Sequence, residues 1–135
     1  SVLHVDLNRH NRAHLLRAAQ EGIAFAFRYG VDIMRESGLR AGVIRAGHAN
    51  LFLSPLFRST LATLCDANIE LYNTDGALGA ARGAALGAGL YRNRNEAFAS
   101  LCRIEEVHPD PAIRQVLEET YQIWKKELQL QLENQ

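Results

Sequence analysis

Two short apolar runs flank one helix-forming stretch, and their order limits what this chain can fold into more than any other feature. "GVIRA" (Gly42 to Ala46) and "NIELY" (Asn68 to Tyr72) have the length and content of strands. Between them Ser54-Pro55 reads as a helix start: the hydroxyl accepts from an orphan amide, and proline at the first helical position has no amide to lose. The helix runs on to about Cys65. Strand, helix and strand within so few residues predict a right-handed βαβ unit with parallel strands. Ligands of such sheets settle beyond the carboxyl ends of the strands. Those ends are Gly47-His48-Ala49-Asn50 and Asn73-Thr74-Asp75-Gly76, and parallel pairing puts both on one edge.

The remaining segments read mostly as helix, so the expected class is helix-rich α/β with a short parallel sheet. From Asn11 to Ser37 apolar residues recur at helical spacing, with Leu16, Ala19, Ile23, Phe27 and Met34 as the expected buried stripe. Leu15, Ala26 and Ile33 widen it, and Gly38 follows as the C-terminal cap. In "GALGAARGAALGAGLY" Gly76, Gly79, Gly83 and Gly87 share one helical face. Each interior glycine costs about 1 kcal/mol against alanine, so a close backbone approach is expected there and at Gly22. A short helix near Asn95 to Cys102 and an extended "RIEEVHPDP" precede a last helix from Pro111. Its expected core stripe is Ile113, Val116, Leu117, Tyr121 and Trp124, with fraying after Leu128.

Fifteen basic and fifteen acidic residues cancel, which argues against a nucleic-acid binder. No apolar run is long enough to span a bilayer, and no signal peptide is recognisable, so a cytoplasmic protein is expected. Cys65 and Cys102 lie in apolar stretches and read as two buried free thiols. A chain that opens on Ser1 with no initiator Met fits a piece of something longer, or a processed one.

His10 and His14 stand at i, i+4, but no third ligand accompanies them, and a helix-start or packing role is the better reading. Asp75 reads as a helix cap, and Glu105-Glu106 as a solvated pair. No nucleophile–base constellation and no Gly-x-x-x-x-Gly-Lys phosphate loop can be assembled. The residues alone leave two alternatives for the first turn. It is either a small-residue platform on which a flat ring or sugar lies, or only a tight connection.

"HNRAHLLRAAQEGIAFAFRYGVDIM" (His10 to Met34) resembles a signature of the FGGY carbohydrate kinases, in which a His-x-x-x-His pair leads into Arg-Ala and then Glu-Gly-x-Ala-Phe. Here those are His10, His14, Arg17-Ala18 and Glu21-Gly22-Ile23-Ala24-Phe25. "IRAGHAN" and "SPLFRSTLA" are similar to the family's strand, glycine turn and helix, and Gly79-Ala80-Ala81 matches its Gly-Ala-Ala helix. The similarity is greatest to xylulose kinases. It implies an actin-like (ribonuclease-H-like) ATPase domain that takes part in transferring the γ-phosphoryl group of ATP, with Mg²⁺, to a ketose sugar. It further implies that residues 1–135 are one domain, the C-terminal portion of the nucleotide-side domain. The sugar-binding domain and the catalytic carboxylate then lie outside this chain, which is expected to be inactive alone and to hold no catalytic residue.

By the same resemblance Gly47, His48, Ala49, Asn50 and Ser54 form the floor of an adenosine pocket. His48 replaces the family's second glycine, the turn is longer through Leu51-Phe52-Leu53, and Ser59 and Thr63 replace a usual Gln and Asp. Another sugar kinase of the family, or a non-enzymatic nucleotide-binding or oligomerisation module, are the rival readings. A sheet so short is expected to keep an unpaired edge and apolar faces that favour a homo-oligomer.

Overall fold

Ser54 and Pro55 open the helix around which everything else is arranged. In the computed structural model, which describes residues 2–133, this helix is α2 (Pro55–Cys65). The Ser54 hydroxyl accepts from the Phe57 amide, and proline occupies the first turn, as the sequence predicts. The chain leaves α2 through Asp66 in the left-handed conformation. Phe57, Leu61, Ala62, Leu64 and Cys65 are buried, because α2 is covered on both sides. The sheet lies on one side of it. On the other lie α1 (Arg12–Glu36) and α5 (Pro111–Glu133).

The sheet has the order β1-β2-β3, with β1 at Val43–Gly47, β2 at Asn68–Tyr72 and β3 at Arg103–Val107. β1 and β2 are parallel, as the βαβ pattern requires. The segment read only as extended supplies β3, antiparallel to β2, so the sheet is mixed and β1 and β3 are its edges. β2 alternates: Ile69 and Leu71 are buried, whereas Asn68, Glu70 and Tyr72 are half-buried on the opposite face. On that second face Glu70 gathers Arg45 (2.8 Å), the Tyr72 hydroxyl (2.9 Å) and Arg103 (3.2 Å). A polar network of this kind suits a face turned to water.

β3 corrects the pairing expected of its two glutamates. Glu105 stands opposite Leu71 on the α2 side, where it accepts from buried Arg58 at 2.8 Å. Glu106, on the other face, meets Arg103 at 3.0 Å and Asn68 at 3.2 Å. They are two separate ion pairs, not one solvated acidic pair. The thiols differ too: Cys65 is buried and Cys102 exposed.

α1 starts on a capping box. Asn11 accepts from the amides of Ala13 and His14, and His14 Nδ1 accepts from the Asn11 amide. His10 Nδ1 accepts from the Asp6 amide in the turn that precedes the helix, so of the two histidines His14 alone belongs to the cap. Gly38, at φ 81°, ends the helix with the Leu39 amide donating to Met34.

The face α1 buries is not the apolar stripe. Ala24 and Phe25 are buried, flanked along the helix by half-buried Arg28, Asp32 and Arg35, while Leu16, Ile23, Phe27 and Met34 are exposed. Phe25 packs at 5.9 Å from Tyr121 and 6.0 Å from Trp124 of α5. Tyr121 donates to Asp32 at 2.8 Å, and the Arg28 and Arg35 guanidinium groups donate to the Leu64 and Cys65 carbonyls. Those carbonyls end α2 and lack intrahelical partners, so a polar row on α1 caps the central helix. In α5, Leu117 and Tyr121 are buried, but Val116 is exposed. α5 stays helical through Glu133; the terminal residues 134 and 135 lie outside the described residues.

α3 (Gly76–Gly87) departs furthest from expectation. No heavy atom comes within 4 Å of a Cβ built at Gly76, Gly79, Gly83 or Gly87, nor at Gly22. The glycine face meets open space. Arg82 holds this helix to the sheet edge by donating to the Thr74 and Ser100 hydroxyls at 3.1 and 3.2 Å. A single short turn, α4 (Arg94–Ala97), follows in place of the longer helix expected to Cys102.

Candidate functional site

Parallel pairing brings the two strand-end turns together at one edge. The His48 amide donates to the Tyr72 carbonyl at 2.9 Å, and the Thr74 amide reaches the same oxygen at 2.7 Å. Gly47 lies against the second turn. A Cβ there would overlap the Thr74 carbonyl oxygen and stand 3.2 Å from the Asp75 Cα. The close approach at this turn is therefore between two backbones. That alone accounts for the glycine.

Beyond Gly47 the chain is held open. Ala49 is extended, Asn50 adopts φ 52°, and Asn50–Leu53 form a single 3₁₀ turn. Asparagine tolerates the left-handed region better than most residues. The longer connection thus becomes a wall, with Leu51 and Phe52 half-buried on its inner side. A cavity of about 240 Å³ lies between this wall and the start of α3, lined by Gly47, Ala49, Asn50 and Phe52 on one side and Asp75 and Gly76 on the other. Three phenyl rings line it: Phe52 meets Phe57 edge-on at 5.4 Å, and Phe27 meets Phe57 edge-on at 6.3 Å. Asp75 caps α3 by accepting from the Leu78 amide at 2.7 Å, as the sequence predicts, and is the one carboxylate on this lining.

Of the five residues singled out in the sequence, Gly47, Ala49 and Asn50 line the cavity. His48 is exposed and outside the lining, and Ser54 is occupied as a cap, donating to Gln20 at 2.6 Å. The sequence does not disclose the aromatic wall: its periodicity puts Phe27 in the buried stripe of α1, and gives Phe52 and Phe57 no role beyond the turn and the helix. The available signal was three phenylalanines around one strand-end turn, but only the packing of α1 on α2 shows that they converge.

The cavity could take a flat, largely apolar group: backbone and small side chains as a floor, aromatic edges as walls, and Asn50 and Asp75 for polar contacts. Among the described residues no three His, Cys, Asp or Glu side chains cluster as a metal site would require. No described helix is long and apolar enough to cross a membrane.

No protein-family model matches the chain. It is 33% identical over 118 residues to the L-xylulose/3-keto-L-gulonate kinase of Escherichia coli (strain K12), a match covering 84% of this chain and 23% of that protein. Its fold superposes on a xylulose kinase from Rhodospirillum rubrum with a TM-score of 0.69 and 27% identity, covering 90% of this chain and 25% of that one. The chain thus spans about a quarter of the length of either relative. Sequence and fold agree: this helix-rich α/β chain is similar to one part of these sugar kinases and shares their actin-like ATPase fold.

Proposed function

We propose that the chain is the C-terminal, nucleotide-side portion of an ATP-dependent sugar kinase that phosphorylates D-xylulose in pentose catabolism. Residues 1–135 act as one domain of that enzyme, in the cytoplasm, and the cavity beyond β1 and β2 receives the adenosine of ATP. The observation that carries this reading is the cavity itself, where two parallel strand ends and three phenyl rings line a space with a backbone floor. Base stacking and edge contacts need aromatic surface, and Asn50 and Asp75 offer partners for an exocyclic amine or a ribose hydroxyl. Gly47, Ala49 and Asn50 form the floor. His48 stands at the rim and Ser54 fixes the wall by capping α2. On this reading metal and sugar are held by parts of the enzyme outside the chain, and the chain alone does not turn over.

ADP titration of the isolated chain, followed by amide NMR, tests this. Shifts confined to residues 47–52 and 74–76, lost in Phe52→Ala, support it; shifts absent at 10 mM ADP, on the order of the weakest useful binding, would overturn it. Incubation with ATP and D-xylulose is expected to yield no ADP. The isolated chain is also expected to self-associate through its unpaired β1 edge and the exposed apolar side of α1. A monomer by light scattering across a concentration series would refute that.

A further inference from the structure

β1 has a second end, and a larger cavity of about 580 Å³ lies there. The C-terminus of α2, the second half of α1, the residues leading into β1 and the first turns of α5 enclose it. Five strand residues at about 3.3 Å each place it roughly 16 Å from the carboxyl edge, so it is separate from the cavity discussed above.

Its lining is charged. Arg28, Arg35, Arg40 and Arg114 face it, opposed by Asp66 and Glu118, with Asp32 behind. Two of the arginines are committed. Arg28 donates to Asp32 at 2.7 Å, to Glu118 at 3.4 Å and to the Leu64 carbonyl, and Arg35 holds the Cys65 carbonyl. Arg114 uses one nitrogen on Asp66, which leaves most of its five-donor fork free. Arg40 has no acceptor among the described residues. The four cations and three carboxylates leave one positive charge over, and it is located at Arg40, beside the Ala41 and Gly42 backbone.

Guanidinium forks match phosphate oxygens in charge and geometry. The cavity is larger than a bare phosphate needs and lies in the size range of small-molecule sites. Asp66 and Glu118 repel an anion close by but accept from hydroxyl groups at a distance from it. We propose that this cavity binds a phosphorylated polyol, its phosphate held by Arg40 and Arg114 and its hydroxyls by the carboxylates of Asp66 and Glu118.

Amide NMR of the full chain, titrated with glycerol 3-phosphate, inorganic phosphate, glycerol and sodium chloride at matched ionic strength, tests the assignment. Glycerol 3-phosphate is expected to shift residues 40–42, 66 and 114 with saturation, more tightly than inorganic phosphate. Glycerol and chloride should leave them in place. Arg40→Ala should weaken binding about tenfold, the worth of one charge-assisted contact, with an unchanged melting temperature because no described residue depends on Arg40. Failure of either phosphate to produce saturable shifts there overturns the site, as does Arg40→Ala binding like the parent chain. Equal affinity for the two phosphates overturns the polyol assignment.

Discussion

Gly47→Ala separates a glycine held by backbone contact from one held by a ligand. The new methyl would overlap the Thr74 carbonyl oxygen and press on the Asp75 Cα. Neither can retreat cheaply. The Thr74 amide and the His48 amide both donate to the Tyr72 carbonyl, so the two turns are pinned to the same atom of β2. Forcing a carbon into such a contact costs about 1–3 kcal/mol. For a domain of this length that is a fall of roughly 4–12 °C in melting temperature. Gly83→Ala is the matched control, because the added methyl meets nothing within 4 Å. It should stabilise α3 by up to about 1 kcal/mol through helix propensity. Thermal melts and urea curves without nucleotide measure both. A Gly47→Ala chain as stable as the parent would refute the backbone explanation and return the glycine to the ligand. Loss of stability in Gly83→Ala would show that the open glycine face is covered in solution.

Asp32 supplies a pH signature. Burial raises its pKa, but hydrogen bonds from Arg28 and Tyr121, with the charges of Arg28 and Arg35, outweigh burial and hold the carboxyl below its ordinary 3.8. Its contribution is therefore complete above about pH 4 and is lost as pH falls through the depressed folded value. Asp32→Asn should cost about 2 kcal/mol at neutral pH and flatten the urea-measured acid slope; an unchanged slope would refute the role. Ser54→Ala removes a helix cap and the bond to Gln20, with an expected loss of about 1 kcal/mol in urea unfolding. In the native protein iodoacetamide should label exposed Cys102 and spare Cys65, whose thiol burial pushes up to about 11. Mass spectrometry showing equal labelling would contradict the burial of α2.

Local chemistry was legible where it closes within a few residues. Ser54-Pro55, Gly38 and Asp75 cap as their types suggest, and "NIELY" is β2 to the residue. The adjacency of the two strand ends followed from parallel pairing alone. Less legible was whatever depends on which neighbour arrives. β3 alternates weakly and carries Glu105 on its inner side, tolerable only because Arg58 reaches it from α2. Phe27 joins the cavity wall only because α1 crosses α2 there. The role of Gly47 needed the position of Thr74, twenty-seven residues on.

α1 shows why periodicity could not settle the rest. Its apolar stripe and its polar row both recur at helical spacing, and hydrophobic content favours burying the first. The α2 terminus tells against it, because its last carbonyls are without intrahelical partners and an unpaired buried carbonyl costs about 1–3 kcal/mol. Arg28 and Arg35 answer that demand, Asp32 neutralises them, and Tyr121 completes the Asp32 shell from α5. The same row that fixes α1 against α2 also brings Phe27 to the cavity at one end of β1 and Arg28 and Arg35 to the cavity at the other. One helix orientation, set by two carbonyl groups, thus shapes a wall of both cavities.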